Sequence, residues 1–234
     1  MLVVGQSVKV LLILCSVFFA GFLFAAGNPA GRVVWVKGSF SAVQGTQQRS
    51  LERAGIFYQG DTLVTDASSQ AQVVFSDNSL MTFREGTKFR VDEYHFKQGG
   101  GGSYVMSLAE GGLRTVTGAV AAQNPTAYQI KTPVATIGVR GTEFIVYYKN
   151  GRLYVGRISG KPCIYDKFKH MQVCLTAEKP YILVVGGQGS TVSIDMPSEL
   201  GGSDDLTIVP AIIQPTPPDG PGGPGGQVSG FCVK

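Results

Sequence analysis

The chain has 234 residues, 44% of them apolar, enough for one good core or two small ones. Charged residues make up 15%, the formal net charge is +4, and no run of lysine or arginine stands out, which argues against a nucleic-acid footprint. Glycine, at 32 residues, favours turns, bulges and loops over helices.

The chain opens MLVVGQSVKVLLILCSVFFAGFLFAAGNPAGR, with Lys9 the one charge before Arg32. An apolar run fills residues 10–26 and ends in Ala25, Ala26 and Gly27. A short positive end, a greasy middle and a small-residue exit are the layout of a secretory leader. Residues 1–27 are therefore expected to be a signal peptide cleaved near Gly27, with a retained N-terminal anchor as the alternative. Either reading places residues 28–234 in the periplasm or at the cell surface, and the membrane is a partner only if the segment is retained. Cys15 has no small residue before it and is not read as a lipid-attachment site.

From Gly31 to about residue 195 strand follows strand: RVVWVK, SFSAV, DTLVT, AQVVF, SLMTF, KFRV, YVMSL, YQIKT, EFIVYY, RLYVGRI, YILVV and STVSI. These are rich in β-branched and aromatic residues, and turn signals separate them at intervals of about 8–12 residues. The expectation is an all-β domain over 31–195, a solenoid-like or sandwich-like stack of short strands with no convincing amphipathic helix. Asp77-Asn78-Ser79 reads as a turn. Asn150-Gly151 reads as a hairpin, because both residues tolerate positive φ. Gly99 to Gly102 reads as a flexible surface loop. Residues 196–234 are dense in proline, glycine and polar residues and read as a disordered tail, in which TIVPAII at 207–213 is a patch suited to docking.

Past the leader there are three cysteines. Cys163 and Cys174 bracket IYDKFKHMQV, and in an oxidising compartment they read as a disulfide across a hairpin loop, worth about 2–3 kcal/mol in the chain-entropy picture. A zinc site using His170 would need a fourth ligand, and no second ligand pair stands nearby. Cys232 is left over, as a cross-link to another chain or a free thiol.

A set of motifs then appears in order: Gly31-Arg32-Val33; Gly60, Asp61 and Thr65; Phe75, Asp77 and Ser79; Glu110-Gly111-Gly112-Leu113-Arg114; and TPVATIGVRGTEF from Thr132 to Phe144. Over residues 31–150 this series resembles the FecR domain of bacterial envelope proteins. The resemblance implies an all-β periplasmic domain with solenoid-like stacking. Its well-known members are anti-sigma regulators in iron uptake, with a cytoplasmic sigma-binding region ahead of one membrane span. Only nine residues precede the apolar run here, so the expectation is an exported, standalone FecR-domain protein.

Within the last motif, Gly138 and Gly141 are expected to allow positive φ or close strand approach. Arg140 is read as an internal anchor, paired with Asp61, Asp77 or Glu143 or with carbonyls of an adjacent rung, in preference to a holder of a ligand carboxylate or phosphate. Thr132, Pro133, Thr142 and Phe144 complete the motif, and Gly60, Asp61 and Asp77 are read as turn residues whose side chains bond backbone amides. The aromatics Phe83, Phe89, Tyr94 and Phe96 are read as core packing, and Trp35 as part of the first strand pair. No nucleophile elbow, phosphate-cradling loop or ligand-spaced histidine pair is present, so no catalytic residue, metal or cofactor is expected. The expected role is a binding or scaffold module with an envelope protein as partner, working through a strand edge or a flat β face. A sensor or regulator of an envelope signal is the alternative.

Overall fold

The computed structural model describes residues 28–98, 101–139 and 141–201. The leader, the tail from residue 202, Cys232 and Arg140 lie outside the described residues. Among those described, the elements are β1 (Pro29–Lys37), β2 (Phe40–Gln44), β3 (Gln47–Ser50), β4 (Ile56–Tyr58), β5 (Thr62–Thr65), β6 (Gln70–Phe75), β7 (Leu80–Phe83), β8 (Lys88–Phe96), β9 (Gly102–Val116), α1 (Ala119–Gln123), β10 (Tyr128–Lys131), β11 (Ala135–Gly138), β12 (Glu143–Lys149), β13 (Arg152–Ser159), β14 (Cys163–Asp166), β15 (Met171–Cys174), β16 (Tyr181–Val185) and β17 (Gly189–Ser193).

The strands form two layers over one core. Sheet A runs β4–β1–β6–β7–β9–β12–β13–β16–β17. Sheet B runs β3–β2–β5–β8–β9–β10–β11–β14–β15. The long strand β9 belongs to both: residues 102–110 pair with β8 in sheet B, and residues 111–116 pair with β12 in sheet A. Neighbours are antiparallel except β9 and β10. The chain thus zigzags between layers while advancing in one direction, which reconciles the solenoid-like and sandwich-like readings.

Alternation of side chains decides which face turns inward. In β10, Tyr128 and Ile130 are buried while Gln129 and Lys131 face out. In β8 the buried set Phe89, Val91, Tyr94 skips one position, because a bulge between Val91 and Glu93 resets the register. The core carries a file of aromatic rings, with Phe75 packed against Phe57, Tyr94 and Tyr104, and Tyr104 stacked on Tyr128 at 4.3 Å. Trp35 sits in the β1–β6 pair and donates from Nε1 to Gln72 Oε1 at 2.6 Å.

Three crossings between layers share one construction. Gly60, Gly86 and Gly141 hold positive φ of 91°, 62° and 55°. Each is followed by a buried polar residue, Asp61, Thr87 or Thr142, and then by an apolar side chain driven into the core, Leu63, Phe89 or Phe144. A left-handed glycine redirects the strand without a Cβ penalty. At the first two crossings the Asp61 and Thr87 side chains satisfy backbone groups that the turn removes from the ladders, while the Thr142 hydroxyl makes no hydrogen bond among the described residues.

Several features differ from the sequence reading. Strands β3, β4, β11, β14 and β15 were not expected: β3 is the polar stretch QQRS at an edge, β4 has three residues, and β14 and β15 occupy most of the stretch read as a loop between Cys163 and Cys174. The short helix α1, AVAAQ, is too brief to carry an amphipathic period. Gly102, expected in a loop, opens β9. Residues 196–201 were expected in the tail, but the turn at 198–201 packs on the outer face of sheet A. There Leu200, 2% exposed, meets Ile145 and Tyr154, while Arg84 donates to the Glu199 carbonyl at 2.8 Å.

Candidate functional site

Asp61 is fully buried, and its carboxylate receives Tyr58 N–H at 2.7 Å and a two-pronged contact from Arg49, whose guanidinium also lies 5.2 Å from the centre of the Tyr58 ring. Asp77, also buried, accepts from Ser79 N at 3.1 Å, Ser79 Oγ at 2.9 Å and Val120 N at 3.3 Å. Its own amide donates to Tyr94 Oη at 2.9 Å. The carboxylate thereby ties the Asn78 turn (φ 67°) to the start of α1. Glu143 receives Arg114 Nε at 2.9 Å. The three acids weighed for Arg140 therefore each hold another partner. Burial raises the pKa of Tyr94, Tyr104 and Tyr128 above the ordinary tyrosine value, and the charge of Asp77 adds to the shift, so all three stay protonated.

The T-P-x-A segment is a tight turn joining β10 to β11. Thr132 N donates to the Ala135 carbonyl at 2.8 Å, and Ala135 N returns a bond to Thr132 Oγ1 at 3.0 Å. Thr132 and Val134 are buried, and Pro133 is exposed at the apex. Lys167 locks the turn from outside, with Nζ donating to the Thr132 carbonyl and its amide donating to the Val134 carbonyl at 3.2 Å. Thr142 is held by exchange with Thr117: Thr142 N donates to Thr117 Oγ1 at 2.8 Å and Thr117 N donates to the Thr142 carbonyl at 3.0 Å. Gly141 holds the positive φ expected of it. Gly138 does not: its φ is ordinary, and an added Cβ would find only the Tyr128 carbonyl, 3.9 Å away. Among the described residues, nothing internal to the fold demands glycine at 138.

Cys163 and Cys174 are disulfide-bonded across β14 and β15, directly opposite in register with Cα atoms 3.9 Å apart. They sit at the open end of the hairpin, away from its loop. His170, in that loop, lies with Nδ1 3.4 Å from Tyr165 Oη. Glu85 and Asp92, close in sequence, serve different partners, accepting from Ser68 N and Ser107 Oγ.

The two ends of the stack differ in what they show to solvent. At the β3–β4 end the edge is polar apart from Ile56. At the β15–β17 end, Tyr165, Phe168, Met171, Val192, Ile194 and Met196 are exposed, Ile194 to 69%. Strands β15 and β17 each have one neighbour among the described residues, so each presents an open row of backbone donors and acceptors. This concentration escapes a sequence reading because the same residues, in STVSI for instance, look like ordinary strand material. The recurrence of Gly-Thr-x-Phe at 86–89 and 141–144 was a legible signal of the crossings.

Architecture and motif placement define an all-β, two-layer domain whose signature residues are built into turns and crossings. The family model described as FecR protein matches residues 61–161, and that stretch of the chain is similar to a FecR domain. An uncharacterized protein of Treponema pallidum is 31% identical over 121 residues, covering 49% of this chain and 16% of that protein. The chain thus corresponds to a small part of that relative's length. Two crystal structures from Parabacteroides distasonis, described as an anti-sigma factor, are 16% identical with TM-scores of 0.47 and 0.49. They are covered to 62% and 63% of their length, by 59% and 61% of this chain.

Proposed function

We propose that the protein is an exported cell-envelope module that works by protein–protein contact, with the β15–β17 end as its docking edge. The observation that carries this reading is the gathering of exposed apolar side chains around two strands that have one neighbour each among the described residues. A partner strand added to β17 would complete the open backbone ladder and cover Val192, Ile194 and Met196. The Cys163–Cys174 bond is compatible with an oxidising envelope compartment. Placing a photo-crosslinking amino acid at Thr191 should give a discrete adduct in cells, and placing it at Gln48 should give none. Equal labelling at the two positions, or no adduct from Thr191, would overturn the assignment of the edge.

The FecR match favours a second reading, a sensor or regulator of an envelope signal. That role needs a retained N-terminal segment or a separate membrane partner. Intact-mass measurement on the envelope fraction separates the two, since a mature chain beginning near residue 28 argues for the standalone module and retention of Met1 for the regulator.

A further inference from the structure

A trough of about 570 Å³ crosses the outer face of sheet B, and Gly138 lies in the middle of it. Cross-strand register sets its floor as a row, Gln129 beside Gly138, Gly138 beside Cys163, and Cys163 bonded to Cys174. The adjacent row brings Thr136, Tyr165 and Gln172 along one flank. The inward residues of these strands, Ile130, Ile137 and Ile164, are fully buried, so the trough belongs to the opposite, solvent face.

Gly138 is the unexpected member. Glycine in a strand interior weakens the strand, and it commonly marks a place where a ligand or another backbone comes close. Here φ is not positive, and among the described residues no neighbour crowds the position. The remaining effect of the missing side chain is to keep the floor open between Gln129 and the disulfide.

The lining identifies what would lie there. Tyr165 is the exposed ring, 41% accessible, and the polar groups around it are neutral: Gln129, Gln172 and Thr136. Among the described residues, the lining includes one cation, Lys161, and no carboxylate. A single exposed ring ringed by amides and a hydroxyl suits a pyranose, whose C–H face packs on the aromatic while its hydroxyls bond the amides. A polyproline segment would want a second parallel aromatic ridge. We infer that the Gly138 trough, which shares Tyr165 and strand β15 with the proposed docking edge, is a binding site for a neutral pyranose glycan.

The test uses the full chain, folded with its disulfide, titrated with chitotetraose and with cellotetraose by saturation-transfer NMR and calorimetry. Saturable binding of either sugar is expected. Gly138→Val, which fills the floor, and Tyr165→Ala, which removes the exposed ring, should each weaken it about tenfold or more. Thermal melts of both variants check folding, and the exposed position of Tyr165 protects that arm from a folding artefact. Absence of saturable binding of both sugars at millimolar concentration, or affinity retained by both variants, would overturn the site. Binding of a synthetic peptide of residues 214–223 in the trough, with no sugar bound, would overturn the ligand class.

Discussion

The two ends of the stack solve the same problem in different ways. Each leaves sheet edges that could pair with another chain. The β3–β4 end is closed by charge: a short polar edge strand is tied down by Arg49 on the buried Asp61. The β14–β17 end is held by a covalent bond and by Lys169, whose Nζ reaches the Ser190 carbonyl at 3.0 Å, and it leaves apolar side chains in water. One end is finished as a surface. The other is braced and left sticky, the combination a docking edge requires.

If charge closes the first end, Arg49→Ala should have the largest effect. It leaves the Asp61 carboxylate buried with the Tyr58 amide as its remaining named donor, at a cost of about 3 kcal/mol. Urea unfolding measures it, and a loss below about 0.5 kcal/mol would show that the edge is held by its backbone alone. At the other end, Cys163→Ser with Cys174→Ser should cost about 2–3 kcal/mol. Amide exchange should accelerate in β14 and β15 and stay unchanged in β3 and β5. Uniform acceleration would mean that the two ends are not independent.

How much of this was legible in the sequence follows from which forces are local. Strands with strict alternation, such as YQIK, announce their inward face, and Asn150-Gly151 holds the positive φ, 50° and 74°, that its residue types suggest. The turn roles of Asp61 and Asp77 could be read because an aspartate bonding nearby amides is a short-range event. The Arg49–Asp61 pair was missed because QQRS has no apolar pattern and its partner lies on another strand. The trough was missed for the same reason: Gln129, Gly138, Cys163 and Cys174 become a row only through the pairing of four strands. Packing of residues 198–201 hangs on one leucine finding sheet A, which composition averaged over a proline- and glycine-rich stretch conceals.

The two motif glycines offer a smaller test with opposite signs. Gly141→Ala forces a Cβ into a left-handed conformation and should lose about 1 kcal/mol. Gly138→Ala meets no neighbour closer than 3.9 Å and should gain about 0.5 kcal/mol. Thermal denaturation of the pair separates a glycine kept for the backbone from one kept for the surface. Destabilisation at both positions would remove the structural argument for an open floor at 138.

The smallest effect is expected from acid, again at the β14–β17 end. Burial pushes the Asp166 carboxyl up, but the Lys169 and Phe168 amides donating to its Oδ1 at 3.1 and 2.8 Å, with the Lys169 charge, outweigh it and leave the pKa below the ordinary aspartate value. A folded carboxyl that holds its proton less tightly than an unfolded one stabilises the fold fully above the unfolded pKa of about 3.9. That contribution fades as pH falls through the lower folded value. The 166–170 loop should therefore begin to exchange its Phe168 and Lys169 amides faster below about pH 4, ahead of any global transition, and Asp166→Asn should flatten the dependence. Because this loop carries the Lys169–Ser190 brace between the layers, its release would loosen the β17 side of the proposed docking edge while the Arg49 end stays closed. Simultaneous acid opening at both ends would refute the division of the molecule into a sealed end and a braced one.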